Sequence, residues 1–383
     1  MDIAVIGGGF AGLCAAVKCA EIKTNNVTVY ERQEKAGKKI LITGNGRCNL
    51  TNADGDDLSK YVTGDREKLS GIYKNASFMN VIDFFEKYGL FIRAKEGGIY
   101  PFSNKASSVR DVLLNGAKNN NVRIITDTYI ENVSNETGKY IINGALYDRV
   151  ILACGGKAGV YKEQEFNGFK ITKNLDLDYE YFSPGLCGVK CDGDFALLNK
   201  SRAEAKVTLI SDSADPVSDK GEIQFTDYGL SGIPVFNLSL YIDKKKLDNG
   251  CCIIADFLPF MSDIEVRGLF EYKKNAGLDL FKGLFTDELA AYLKKDTDIN
   301  DLNAVIKGVK HQTFKVKGLK EYKTAQVMKG GISLSEINDN FESVKYPGLY
   351  ITGEMLDVTG HCGGYNINFA VISALKAAGD IIK

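Results

Sequence analysis

The sequence predicts an α/β protein in which both ends of the chain feed one parallel sheet. Between them lie a mostly antiparallel β region and a short helical one. Three observations carry this reading. The chain opens with a short apolar strand, Asp2 to Ile6, followed by glycines at 7, 9 and 12. A second apolar strand, Arg149 to Ala153, runs into Cys154-Gly155-Gly156. The last forty residues return to the same character, with a strand at Gly348 to Thr352, a glycine-rich loop, and an apolar small-residue helix from Phe369 to Ala378.

The first element is the most specific. Gly7, Gly9 and Gly12 make Gly-x-Gly-x-x-Gly between a predicted strand and a predicted helix, Phe10 to Lys23, with Leu13, Ala16, Val17 and Ala20 on one side. The next strand, Asn26 to Glu31, ends in a carboxylate. Strand, tight turn, helix, strand and acid in this order form the context that gives the motif meaning. Gly7 makes the turn, Gly9 admits a pyrophosphate against the backbone, and Gly12 lets helix and sheet pack closely. A diphosphate would rest on the free amides at the helix start, and Glu31 would accept the ribose hydroxyls. A bound dinucleotide is expected.

The segment from Arg32 through Lys39 to Asn52 is polar and glycine-rich. Gly44 and Gly46 let backbone lie against something flat, while Asn45, Arg47, Asn49 and Asn52 supply donors. An arginine in such a segment, beside a nucleotide site, points to a contact role. Cys48 is open to two readings, a reactive thiol or a packed one.

Residues 53–75 read as a loop and a short helix. Asn80 to Tyr88 has an apolar helical face, Val81, Ile82, Phe84, Phe85 and Tyr88. Ser107 or Ser108 is expected to cap a helix running to about Lys118. Val122 to Thr126 is a strand, and Tyr129 to Val133 with Lys139 to Asn143 read as an antiparallel pair around a turn. From about Ser183 short strands are expected at Leu186 to Val189, Ala205 to Ile210, Gly221 to Phe225 and Leu238 to Ile242. Ile264 to Lys307 is helical, its aromatic stripe fitting a helical core. Ala325 to Lys329 is expected to be a strand leading to Gly330-Gly331. In the C-terminal loop, Gly363-Gly364 before a helix makes a second anion-binding helix start. A site served by both chain ends suits a long cofactor such as FAD better than NAD.

Composition bounds the rest. The chain has 383 residues, 48 Lys plus Arg against 49 Asp plus Glu, and a formal charge of −1, so no overall basic field argues for nucleic acid. At this length two or three domains are expected. Nine cysteines, an odd and scattered number, do not form a secreted disulfide framework. No apolar run approaches a membrane span, and no signal core precedes the strand at residue 2, so a soluble cytoplasmic protein is expected.

The motifs together resemble a known family. They are Gly7-Gly8-Gly9-Phe10-Ala11-Gly12, Gly37-Lys38-Lys39 through Gly46-Arg47-Cys48-Asn49-x-x-Asn52, Leu152-Ala153-Cys154-Gly155-Gly156, Gly221 to Gly232, and Gly353-Glu354-x-Leu356-Asp357 through Gly363-Gly364-Tyr365-Asn366. The chain resembles the bacterial and archaeal NAD(P)/FAD-dependent oxidoreductases of aminoacetone oxidase-like type, over nearly its whole length. The resemblance implies a Rossmann-like (ββα) FAD domain of glutathione-reductase type, interrupted by a β-barrel-like domain carrying a small helical one. The implied boundaries are 1–183 and 334–383 for the FAD domain, 184–262 with 308–333 for the β domain, and 263–307 for the helical domain.

It also implies the contacts. Gly7, Gly9, Phe10, Ala11, Gly12, Glu31 and Arg32 would serve the ADP half. Lys39, Gly46, Arg47, Cys48 and Asn49 lie in the loop near FAD, with Ala153 and Gly155 at the second strand end. Gly353 and Glu354 fall on the ribityl side, and Gly363, Gly364, Tyr365 and Asn366 near the isoalloxazine and pyrophosphate. Two departures stand out. Relatives have a Thr-Gly-Ser-Thr-Gly-Asp-Gly-like stretch where this chain reads Lys157-Ala158-Gly159-Val160-Tyr161 and Glu165 to Phe169, and Thr-His-Tyr-Gly where it has Thr226-Asp227-Tyr228-Gly229. Both fall in or near the expected substrate cavity.

A flavin would supply the redox centre, with protein groups placing and tuning it. The expected reaction is hydride transfer between NAD(P)H and a small organic substrate. With no second complete glycine triplet after a strand, NADH or NADPH would dock transiently. Alternatives are an oxygen-using amine or aminoketone oxidase, reduction of an activated carbon–carbon double bond by NAD(P)H, and a non-catalytic FAD protein with an RNA or protein partner meeting Lys307, Lys310, His311, Lys315, Lys317, Lys320 and Lys323. His361, one of two histidines, is the candidate proton-transfer group, with Tyr365 and Tyr228 as cavity donors. A loop histidine bonded to backbone is the slightly stronger reading of His361. No metal site is expected, because Cys187-x-x-x-Cys191 and Cys251-Cys252 lack companion ligands.

Overall fold

The computed structural model describes residues 1–136, 138–159, 167–211, 214–243, 247, 250–295 and 297–383. The chain divides into two compact units, residues 1–183 with 327–383, and residues 184–326.

The first unit is built on a five-stranded parallel sheet. Its order is Leu349–Ile351, Arg149–Leu152, β1 (Asp2–Ile6), β2 (Asn26–Tyr30) and Arg123–Ile125. Val5 lies opposite Val29 on one side and Ile151 on the other, and Ile151 opposite Tyr350. Helices cover such a sheet, so its strands are apolar: Ile3 to Ile6 and Val150 to Leu152 at the centre, and Leu349 to Ile351 at one edge, are all buried. Between β1 and β2 runs α1 (Phe10–Cys19), buried along Ala11 to Val17 and packed against the C-terminal helix, Tyr365–Ile381. The two helices that open beside expected cofactor loops are therefore neighbours on one face of the sheet.

The second unit contains a closed six-stranded barrel. Its order is Val189–Cys191, Gly229–Ser231, Ala214–Thr226, Arg202–Ser211, Cys252–Asp256 and Gln312–Leu319. Alternation puts Ala205, Val207, Leu209, Ile223, Phe225, Ile253, Ala255, Phe314 and Val316 out of solvent. Phe314 stacks on Phe195 at 6.0 Å and meets Phe225 at 6.1 Å, so the barrel is filled with side chains. Helices Asp263–Asn275, Asp287–Lys295 and Leu302–Lys310 interrupt it, and the aromatic stripe is their core, with Phe270 6.0 Å from Phe281. The architecture is thus an α/β Rossmann-like fold with an inserted closed barrel and additional helices.

Several elements differ from the sequence reading. Leu238 to Ile242 is not a strand. Helix Ile233–Ser239, which Pro234 fits at its first turn, takes in Leu238 and Ser239, and Leu240 and Tyr241 turn the chain. Tyr129 to Val133 is irregular, and the small antiparallel unit is instead three-stranded, Ser134–Glu136, Lys139–Ile142 and Ala145–Tyr147. The helix at Ala106–Asn119 begins before Ser107 and Ser108 and has no side-chain cap. Val327–Ile332 runs through both glycines, and the C-terminal helix starts at Tyr365, four residues before the expected Phe369. The stretch 160–166, part of the first departure from the family pattern, lies outside the described residues.

Candidate functional site

The glycine turn at the end of β1 opens into a cleft lined by Gly7 to Gly9, Tyr30 to Gln33, Gly37 to Lys39, Thr128 and Ala153 to Gly156. It sits at the C-terminal ends of parallel strands, the usual ligand edge of such sheets. Of the expected contacts, Gly7, Gly9, Glu31, Arg32, Lys39, Ala153 and Gly155 line this one cleft. Phe10, Ala11 and Gly12 form the helical turn behind it, Ala11 facing Gly353.

Two of the glycines are required by packing. A Cβ on Gly7, whose φ is +111°, would lie 2.2 Å from the Ala153 carbonyl oxygen, and one on Gly12 1.8 Å from the Gly7 oxygen. Gly9 is different: a Cβ there meets nothing within 4 Å, although the residue lines the cleft. No side chain caps α1, and the first backbone bond into its turn is Leu13 N–H to the Gly9 carbonyl at 3.0 Å. The helix start thus presents amides to an open space, the arrangement that takes a diphosphate.

Glu31 is buried beside this turn. Its Oε2 accepts the Gly8 amide at 2.7 Å and its Oε1 the Gln33 amide at 2.8 Å. A carboxylate has about four lone-pair positions, so two remain for hydroxyl donors. The acid therefore also ties the glycine turn to the segment after β2. Tyr30 and Thr128 were not expected from the sequence. Tyr30 donates or accepts at 2.7 Å with Tyr147, and burial followed by that bond pushes its hydroxyl up to about 12. Thr128 follows the edge strand Arg123–Ile125, so the rule that ligands gather beyond strand C-termini could have found it.

Lys39, which also lines the cleft, pairs its Nζ with Glu354 Oε2 at 2.8 Å, while Glu354 Oε1 accepts the Met328 amide at 2.8 Å. Gly156 is pressed to Glu354, a Cβ there falling 2.6 Å from its Cδ. Gly353 turns the chain and donates its amide to Ser373 Oγ at 2.9 Å. A cation and an acid from segments 315 residues apart thus meet beside the Gly155-Gly156 turn.

The remaining expected contacts form a second cluster. Gly46, Arg47, Cys48 and Asn49 belong to a loop with Asn45 and Cys48 at positive φ. Arg47 is exposed, its Nε 3.3 Å from the Gly44 carbonyl. Cys48 is fully buried and its thiol is pushed up to about 12 by that burial, which decides for a packed rather than a reactive cysteine. Asn49 accepts the Ile99 amide at 3.1 Å, and Asn52 donates to the Gly363 carbonyl at 3.0 Å. Gly364, at φ +99°, caps the C-terminal helix with no side-chain bond and packs on Thr51, where a Cβ would be 2.8 Å from the carbonyl oxygen. The side chain of Asn366 is spent on Gly360, bonding its amide at 2.9 Å and its carbonyl at 2.7 Å.

The three proton-transfer candidates differ in placement. The Tyr365 hydroxyl donates to Asp54 Oδ1 at 2.7 Å, and burial followed by that acid pushes its pKa upward. His361 is half-buried in the same loop, its amide on the Lys60 carbonyl at 2.8 Å. Tyr228 belongs to the second unit, where Lys320 Nζ lies 4.3 Å from its ring centre. Cys14 and Cys19, with Cys-x-x-x-x-Cys spacing, are both buried within α1, and burial raises both thiols. Among the described residues no group of His, Cys, Asp and Glu could hold a metal ion, and no helix is long and apolar enough to cross a membrane.

Comparison with known proteins places this geometry. A family profile described as HI0933-like protein Rossmann domain matches residues 1–380. The chain belongs to that family. It is a family of FAD-dependent oxidoreductases, and the open amides, Glu31 and the Gly155-Gly156 turn fit FAD. The chain is 33% identical to the 3-dehydro-bile acid delta(4,6)-reductase of Clostridium scindens over 96% of both chains. It is 26% identical to the ribosomal RNA dihydrouridine synthase of Escherichia coli, over 100% of this chain and 98% of that protein. The fold is shared with the 3-ketosteroid-delta4-(5alpha)-dehydrogenase of Rhodococcus jostii RHA1, at a TM-score of 0.54 and 14% identity, covering 100% of this chain and 96% of that one.

Proposed function

We propose that this flavoprotein is a reductase of carbon–carbon double bonds conjugated to a carbonyl, acting on a free small molecule with NADH or NADPH as donor. The observation that carries the reading is chemical. The bile-acid reductase and the dihydrouridine synthase act on very different molecules, yet both names describe saturation of an alkene conjugated to a carbonyl.

FAD, when bound and reduced, supplies a hydride to the β-carbon of such a substrate. The chain's own residues do the rest. The α1 amides and the glycine turn would hold the diphosphate, Glu31 the ribose, and Lys39 with Glu354 the ribityl side. The loops at 46–49 and 363–366 would serve the ring, with Gly46, Arg47, Asn49, Gly363 and Gly364 supplying backbone and polar groups. The α-carbon then needs a proton. The Tyr365 hydroxyl stays protonated across the neutral range because burial and Asp54 both disfavour the phenolate. His361, a few residues away in the loop, is the second candidate donor.

The choice of a small molecule over RNA follows from charge. Half of the lysines near residue 310 are paired, Lys310 with Asp256 at 2.7 Å, Lys317 with Asp192 at 3.1 Å and Lys320 with Glu321 at 3.8 Å. Paired charges release few counterions on binding a phosphate backbone.

The test is anaerobic stopped-flow absorbance of the visible flavin band in FAD-loaded protein. NADH or NADPH should bleach it with saturation, and steroid-type enones or dienones should restore it without oxygen. Restoration by oxygen alone, with bleaching by amines, would replace the reading with the oxidase. Restoration only by uridine-containing ribosomal RNA would move the same chemistry onto a macromolecule.

A further inference from the structure

From the buried polar cluster beneath the C-terminal helix, we infer that Asn368 is a positioning residue that sets the reactivity of the flavin by locking the 49–52 loop against Gly363-Gly364. The inference rests on the reading that these two glycines border the ring, and it adds a residue for which no role in the site was expected.

Asn368 lies one turn into the C-terminal helix, its amide on the Gly364 carbonyl at 2.9 Å, and it is fully buried. Both polar atoms of its side chain are engaged. Oδ1 accepts the Thr51 hydroxyl at 2.8 Å. Nδ2 lies 3.0 Å from the Gly55 carbonyl, 3.0 Å from Tyr61 Oη and 3.3 Å from Tyr73 Oη. Tyr61 in turn donates to the Gly55 carbonyl at 2.7 Å. One amide thereby fastens both ends of the 51–61 segment to the helix start.

That fastening sits directly under the expected ring contacts. Thr51 carries the carbonyl on which Gly364 packs, and Asn52, next along, holds the Gly363 carbonyl. Tyr61 also lies edge-on to Tyr365, 5.8 Å between ring centres. Leucine would fill the space of this buried amide, at the cost of stranding the Thr51 hydroxyl that Oδ1 now accepts. What leucine cannot do is register the loop. A shift of Thr51 and Asn52 would rotate Gly363 and Gly364, and with them the fixed amide dipoles at the helix start. Dipoles placed before reaction are worth most where charge develops, as on a reduced ring.

The experiment compares full-length, FAD-loaded wild type, Asn368→Leu and Thr51→Val. Asn368→Leu should keep FAD, because Asn368 is not among the residues that line the cleft of Gly7 to Gly9 and Glu31. Its visible flavin band should shift, and its oxidised-to-reduced ratio at a fixed poise should differ at least tenfold from wild type, about 30 mV for a two-electron couple. Thr51→Val, which removes only the donor to Oδ1, should move both readouts the same way by less. Wild-type spectrum and potential in both variants, whatever their melting temperatures, would reduce Asn368 to a structural residue and overturn the inference. If Asn368→Leu does not fold, Thr51→Val decides alone, and an unchanged spectrum and potential there overturns it. Failure of wild type to turn over enones would remove the reductase reading while leaving this comparison intact.

Discussion

Gly9 and Gly12 sit in the same motif, yet the structure assigns them opposite duties, and alanine at each separates fold from binding. At Gly12 a Cβ would stand 1.8 Å from the Gly7 carbonyl oxygen and 3.3 Å from Val5 Cγ1. The oxygen belongs to backbone held by the Gly7 amide bond to Tyr30, so it cannot swing away as a flexible side chain would. The helix must retreat from the sheet by more than an ångström. Overpacking of this kind costs about 1–3 kcal/mol, and rigid backbone on the obstructing side places Gly12→Ala at the upper end. At Gly9 the same methyl touches no protein atom and points into the cleft. Gly9→Ala should leave the FAD-free protein within about 0.5 kcal/mol of wild type, the range of substitutions that strain nothing. It should weaken FAD by roughly 100-fold, about 2.7 kcal/mol, by holding the diphosphate off the helix amides.

Thermal unfolding of the FAD-free variants and fluorescence-quenching titration with FAD measure the two quantities. The decisive pattern is a crossing: Gly12→Ala loses stability before any ligand is added, and Gly9→Ala loses affinity without losing stability. If Gly9→Ala binds FAD as wild type does, the helix start does not face the cofactor and the assignment of the cleft fails. Equal losses of stability in both variants would refute the steric argument.

Other perturbations reach different parts of the molecule. Lys310→Met should cost about 3 kcal/mol in urea unfolding, because it strands Asp256 and the Leu258 and Met261 carbonyls that Nζ now holds at 2.7, 2.9 and 2.6 Å. Lys39→Met should lower FAD affinity about tenfold with less than about 1 kcal/mol of change in the FAD-free protein, since the pair with Glu354 is partly solvated. Glu21 supplies a pH test. Burial raises its carboxyl, but bonds from Lys18, Lys87 and Tyr88 outweigh that and bring it from the ordinary 4.5 down to about 2. A depressed carboxylate stabilises the fold above its unfolded value and stops doing so as pH falls through its folded one. Wild type should therefore lose about 1 kcal/mol more than Glu21→Gln between pH 4.5 and 2, after discounting for partial exposure. Parallel unfolding curves for the two proteins across that interval would contradict it.

How much of this was legible in the sequence depended on whether the pieces were neighbours in the chain. The glycine turn was plain because Gly7, Gly9, Gly12 and Glu31 fall within one strand-helix-strand unit, where spacing and geometry are nearly the same information. Glu354 and Lys39 could each be named but not paired, since 315 residues separate them and nothing local in either segment announces the other. Asn368 was invisible for the same reason. Its partners Thr51, Gly55, Tyr61 and Tyr73 lie some 300 residues away, and an asparagine inside an apolar helix looks like a tolerated exception until its bonds are counted. Where the sequence reading failed outright, two local signals had competed. Leu238 to Ile242 has a strand's composition, but Pro234 in the first turn sets a helix that runs to Ser239 before the apolar residues can extend. Lys310 failed in the other direction: read as part of a basic surface, it is a buried cation holding an acid and two carbonyls. A run of lysines in sequence therefore says little about a charged surface, because burial and pairing, which the sequence does not display, decide how much of that charge a partner would meet.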